Sequence, residues 1–178
     1  MAEMFKRLKP TGRPAMVTEG GVVLLLDTSG SMITDDGKGR RIDLLREAVG
    51  MIEGLRQLMT IAFGMGAKVL EYGMEIPDPY GSTPMHLAFK LATTKGKNKA
   101  VLITDGEPDS DMLALDAAKS FVVDIVYIGP EPMPEFLNKL ARQCSGTVQI
   151  GKLSDPKLLA HKVTALLGHT KDEAIICT

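Results

Sequence analysis

The sequence contains no apolar stretch able to cross a bilayer. The longest, Val22 to Leu26, falls far short of the roughly 20 residues that a spanning helix needs. Nor does it open on a secretory signal, because Lys6, Arg7 and Lys9 are followed by no apolar segment. The expectation is a cytoplasmic protein with no membrane partner. Lys and Arg number 21 against 22 Asp and Glu, a net charge of -1. That balance lacks the basic excess of a nucleic-acid binder, so no nucleic acid is expected as a partner. Cysteine is scarce: Cys144 and Cys177 stand apart, with no CxxC pair and no His/Cys cluster. Zinc-site spacing is therefore missing, and both thiols are expected to be reduced. Internal repeats and low-complexity tracts are also absent.

What remains is ordinary globular chemistry. The 178 residues are 44% hydrophobic and 24% charged, enough for one domain with a proper core. Residues 1–18 mix basic side chains with Pro10 and Pro14 and lack periodicity, so they read as an N-terminal arm. A domain is expected over 19–168, and residues 169–178 read as a C-terminal tail. Within the domain, Gly21 to Asp27 is a continuous apolar run ending in an acid, the pattern of a central parallel strand buried on both faces. Further strands are expected at Leu58 to Phe63, Lys68 to Met74, Ala100 to Asp105, Val122 to Ile128 and Thr147 to Ile150. The weak alternation of Lys68 to Met74 suits a sheet edge. Helices are expected at Arg41 to Leu55, Met85 to Thr93, Asp109 to Ser120, Pro134 to Gln143 and Pro156 to Leu167. Strands alternating with helices indicate an α/β three-layer α/β/α Rossmann-like sandwich around a mainly parallel six-stranded sheet.

Ligands of open parallel sheets bind outside the C-terminal ends of the strands. Three segments meet that description: Asp27-Thr28-Ser29-Gly30-Ser31, Gly81-Ser82-Thr83-Pro84 and Thr104-Asp105-Gly106-Glu107-Pro108. Asp27, Ser29, Ser31, Thr83 and Asp105 supply oxygen donors, with no imidazole or thiolate among them. Such a set suits a hard cation, Mg²⁺ or else Mn²⁺ or Ca²⁺. Two carboxylates nearly neutralise a divalent ion, whereas hydroxyls ligate without adding charge. Gly30 permits the tight turn that brings both serines toward one point.

The Asp27-x-Ser29-x-Ser31 loop, Thr83 and Asp105 resemble the metal-ion-dependent adhesion site (MIDAS) of von Willebrand factor A (VWA) domains. All five positions occur in that family's order, and the resemblance covers roughly residues 20–168. It implies a VWA fold with one antiparallel edge strand. It further implies that Ser29 and Ser31 ligate the metal directly. Thr83 would do so directly or through water, and Asp27 and Asp105 largely through water. The implied partner is a protein that presents Asp or Glu to the metal. An AAA+ ATPase of the MoxR type is one such partner and a larger assembly another, with the chain a monomer or a subunit of a hetero-complex. Met32, as an exposed hydrophobic contact, and Gly81, Ser82 and Glu107 are the expected partner-binding residues.

No enzyme is expected. The chain has no Gly-x-Ser-x-Gly elbow, no GxGxxG turn and no complete P-loop. Asp27 is similar to the nucleophile of haloacid dehalogenase phosphatases, but those need a second Asp where this chain has Ser29. A metal-assisted phosphoester hydrolase and a purely structural metal are the alternatives. Asp35, Asp36, Lys38, Arg40 and Arg41 read as a solvated polar insertion, Lys95, Lys97 and Lys99 as a solvated turn, and His86 as a non-ligating helix residue.

Overall fold

The computed structural model describes residues 21–52, 54–152 and 154–168. The expected N-terminal arm, the C-terminal tail and Cys177 lie outside the described residues. Six strands form one sheet in the order β3-β2-β1-β4-β5-β6. They are β1 Val22–Asp27, β2 Met59–Phe63, β3 Ala67–Leu70, β4 Lys99–Thr104, β5 Val122–Tyr127 and β6 Val148–Ile150. All neighbours pair in parallel except β2 and β3, which are antiparallel. The helices are α1 Arg41–Gly50, α2 Met85–Thr94, α3 Asp111–Ala118, α4 Glu135–Gln143 and α5 Pro156–Gly168. Among the described residues no helix is long and apolar enough to cross a membrane.

The alternation of side chains along each strand divides the interior into two layers. Val23, Leu25, Ala100, Leu102, Val123 and Ile125 face α2, α3 and α4, where Phe89, Ala114 and Leu137 meet them. Leu24, Leu26, Val101, Ile103 and Val126 face α1 and α5, where Leu45, Val49, Leu159 and Val163 meet them. This is why β1 and β4 read as unbroken apolar runs: both faces of a parallel sheet are covered by its crossover helices. Cys144 is buried at the end of α4, its thiol against the Ala118 carbonyl.

Three elements differ from expectation, each for a local reason. Helix α1 stops at Gly50 rather than continuing to Leu55, since glycine is a poor helix residue. Gly54 then takes a left-handed φ of 76° and opens a short 3₁₀ turn, Leu55–Gln57. Strand β3 ends at Leu70, where its pairing with Thr60 ends and Glu71 to Met74 forms a turn. Helix α3 starts later than expected because Ser110, not Asp109, is its N-cap, its hydroxyl accepting from the Leu113 N–H at 3.4 Å. That leaves the Asp109 carboxylate outside the helix and available to the neighbouring loop.

Leu102 lies at the centre of the sheet, paired in register with Leu25 on one side and Ile125 on the other, and is fully buried. Leu102→Ala is expected to cost about 2–5 kcal/mol. Leu113→Ala, on an exposed helix face, should stay within about 0.5 kcal/mol. Urea unfolding of both variants measures the difference.

Candidate functional site

The strand order changes direction at the join of β1 and β4: the chain moves outward from β1 to β2 and β3, then returns to the other side of β1. At such a switch point the loops leaving adjacent strands part and open a crevice. Here those loops are the one after Asp27 and the one after Thr104. Asp27 has no exposed surface, and its two carboxylate oxygens meet donors from its own loop and from the end of β4. Oδ1 accepts the Ser29 N–H at 2.8 Å, and Oδ2 accepts the Thr104 hydroxyl at 2.6 Å. The first bond bends the chain into the 3₁₀ turn Gly30–Ile33. That turn sets the Ser29 and Ser31 hydroxyls 3.0 Å apart, and Ser31 donates onward to Asp105 Oδ1 at 2.7 Å. Four of the five residues singled out in the sequence therefore lie along one hydrogen-bonded chain.

The loop that carries Thr83 is held beside the Thr28–Gly30 segment by backbone contacts. The Gly30 N–H donates to the Gly81 carbonyl at 3.1 Å, and Tyr80 N–H to the Thr28 carbonyl at 3.0 Å. This approach tolerates no side chain at Gly64, where a Cβ would stand 2.6 Å from the Thr28 oxygen and 2.8 Å from the Tyr80 oxygen. Gly81 has a φ of 82° and lies against the backbone of Met65. Asp109 fixes the rest of the loop, accepting from the Ser82 hydroxyl and the Thr83 N–H at 2.7 Å each. Thr83 is half-buried, whereas Gly81, Ser82 and Glu107 are exposed.

Met32 does not fill its expected role. The 3₁₀ turn rotates its side chain into the layer beneath α1, where it is 0% exposed and packs with Leu24, Leu26 and Ile42. It anchors the loop from below, and the exposed apolar residue beside the serines is Ile33. Arg41 also departs from expectation, being buried rather than part of a solvated insertion. Its Nη1 donates to Asp105 Oδ2 at 2.8 Å, while Nε and Nη2 grip Asp36 at 2.7 and 2.9 Å. Thr104, Asp109 and Arg41 are the functional neighbours that spacing missed. The Ser110 cap was the one local signal that could have freed Asp109 for this task.

Among the described residues no group of three or more His, Cys, Asp or Glu gathers at one point. The donors at this crevice are mainly hydroxyls, which suit hard cations. Neighbouring ligands of an octahedral Mg²⁺ lie about 3.0 Å apart, from a metal–oxygen distance near 2.1 Å. The 3.0 Å between the two serine oxygens fits that edge. The residues present thus suit a small divalent cation.

No protein-family model matches the chain, and no curated protein does. Solved structures do match. A structure titled von Willebrand factor type A from Catenulispora acidiphila aligns at TM-score 0.61 and 20% identity, over 84% of this chain and 43% of that one. Manganese-loaded Plasmodium vivax TRAP protein aligns at TM-score 0.56 and 19% identity, over 84% and 74%. The TFIIH p34 N-terminal domain aligns at TM-score 0.53 and 12% identity, over 83% and 97%. The chain has the von Willebrand factor A fold. It spans less than half of the Catenulispora chain.

Within this VWA fold the crevice is electrostatically uneven. Burial pushes the Asp27 carboxyl up to about 6 from an ordinary 3.8, against the opposing hydrogen bonds from Ser29 and Thr104, and the nearby Asp105 adds to the rise. The folded, metal-free protein therefore keeps the Asp27 proton over a range where the unfolded chain has released it. Stability from this group is present below pH 3.8 and is lost as pH rises through about 6. Melting curves of metal-free wild type and Asp27→Asn between pH 3.5 and 7 test this, pH values chosen to bracket about 4 and about 6. Wild type should lose stability relative to the variant across that window. A constant difference would mean that folding leaves the Asp27 carboxyl at its ordinary value.

Proposed function

We propose that this chain is a cation-dependent protein-binding module, not an enzyme. In this reading a divalent cation, Mg²⁺ under most conditions, is held by the Ser29, Ser31 and Thr83 hydroxyls. Asp27 and Asp105 act on it through water, completing a MIDAS-type site. When bound, the cation supplies an outward coordination position for an acidic side chain of a partner protein. The observation that carries the reading is the hydrogen-bonded run from Asp27 through Ser29 and Ser31 to Asp105 at the sheet's switch point. The manganese-loaded TRAP structure of the same fold supports divalent metal chemistry.

The surroundings favour a protein partner over a small substrate. Ile33, Met65, Tyr80 and Met112 are large, exposed apolar residues on segments that meet at this end of the sheet. Exposed apolar groups beside a polar site are a feature of protein interfaces. A phosphoester hydrolase would need a carboxylate free to take a proton from water. Asp27 has both oxygens engaged by Ser29 and Thr104, and Asp105 has both engaged by Ser31 and Arg41. A partner acid entering the coordination shell fits that arrangement better. The partner is a subunit of a hetero-complex or a remodelling ATPase of the AAA+ class in this proposal, and the site of action is the cytoplasm.

Mg²⁺ or Mn²⁺ at about 100 times its dissociation constant should stabilise the fold by about 2.7 kcal/mol, read as a rise in melting temperature that EDTA reverses. Ser29→Ala should weaken cation binding about tenfold or more with the fold intact by circular dichroism. Wild type whose melting point ignores both ions would end the cation reading. Tyr80→Ser and Met65→Ser should leave the cation-induced rise in place and lower the recovery of proteins that elute with EDTA in affinity purification.

A further inference from the structure

We propose that Arg41 is a built-in counter-ion of the cation site, and that the 34–40 loop, through Asp36, sets how strongly that counter-ion opposes the cation. This inference rests on the cation reading above and concerns its regulation. Arg41 is the first residue of α1, with its side chain 8% exposed. The Asp105 side chain beside it is 1% exposed, and that of Asp36 is 55% exposed. The guanidinium thus stands between an inner carboxylate that belongs to the crevice and an outer one that belongs to the surface. It gives one hydrogen bond inward and two, in a fork, outward.

That division has electrostatic consequences. A buried carboxylate without a partner is costly, so Arg41 supplies Asp105 with a counter-charge when the crevice holds no ion. Asp105 Oδ1 accepts a hydrogen bond from the Ser31 hydroxyl while Oδ2 accepts one from Arg41 Nη1. A cation seated at the serine hydroxyls would therefore share one carboxylate with a guanidinium, and the two positive charges would repel across it. Asp36 offsets part of the guanidinium charge from outside. Arg41 holds Asp36 below the usual carboxylate range through its hydrogen bonds, so Asp36 stays charged at neutral pH.

The loop is built to keep Asp36 in place. Asp35 and Arg40 form a β-bridge across it, and Asp35 Oδ1 accepts from the Gly37 and Gly39 N–H groups at 2.8 and 3.0 Å. The Arg41 N–H closes it on the Thr34 carbonyl at 3.0 Å. Gly37 and Gly39 take positive φ values of 91° and 117°, which a side chain would strain. Anything that engages the exposed Asp36 changes the charge that Arg41 presents inward. By thermodynamic reciprocity, cation binding then alters how readily Asp36 is engaged.

The test is a set of dissociation constants for Mn²⁺, from calorimetry or electron paramagnetic resonance, on folded variants of the full chain. Arg41→Gln keeps an amide donor for Asp105 and removes the charge; it should bind Mn²⁺ about tenfold more tightly, with a larger cation-induced rise in melting temperature. Asp36→Asn leaves the guanidinium uncompensated and should bind about threefold more weakly. In the Arg41→Gln background, Asp36→Asn should have little further effect. Arg41→Met provides the same charge change if the glutamine variant fails to fold. Weaker binding in both the Arg41 and the Asp36 variants would show a merely structural ion pair and overturn the inference. Wild type that binds no Mn²⁺ would instead overturn the cation reading on which it rests.

Discussion

Burying a carboxylate at the end of β1 places a strict demand on everything around it. Asp27 has no exposed surface, so each of its oxygens must find a donor inside the protein. One donor is the backbone of its own loop, two residues on, and the other is the hydroxyl at the end of the neighbouring strand. Meeting the first demand coils the loop and brings two serine hydroxyls together. Meeting the second ties the ends of β1 and β4, where the sheet's crevice opens. The shape of the site follows from solvating one buried charge with protein groups.

The loops around this point are held by backbone contact more than by side chains. Gly30, Gly64 and Gly81 mark the places where three segments come within hydrogen-bonding reach of one another. Met32 pins the loop of Ser29 and Ser31 to the core from below, and Asp109 pins the Thr83 loop from the side. Rigid support of this kind holds hydroxyl groups, which carry no charge, at fixed positions. It also explains why the surface above them can be apolar. The charged groups of the site are turned inward onto Ser29, Thr104, Ser31 and Arg41. A large cleft of about 710 Å³ lies elsewhere, between α1 and the segment after β3, at the opposite end of the sheet. The cluster of oxygen donors lies instead where the strands of the open sheet end.

Much was legible from the chain alone. The runs Gly21 to Asp27 and Ala100 to Asp105 announced central strands because a parallel sheet covered on both faces favours apolar residues on both, and β1 and β4 form there. The three loop motifs were readable because each follows or precedes an element whose type was clear. Boundaries were less so, as at α1, where Gly50 ends a helix that periodicity would have carried to Leu55. Side-chain direction in short turns was not readable at all. Met32 lies next to Ser31 in sequence, yet a 3₁₀ turn sends one into the core and leaves the other exposed.

The order of strands and helices, the oxygen-only donor set and its grouping at one end of the sheet were determined by sequence. They depend on local periodicity and on residue type, which need no partners in space. The pairing of Arg41 with Asp105, 64 positions away, and of Thr83 with Asp109, 26 away, was decided by the tertiary structure alone. Such contacts join residues whose spacing carries no signal. They arise when β1 and β4 come side by side and a buried charge selects a counter-charge from whatever the packed elements bring within reach.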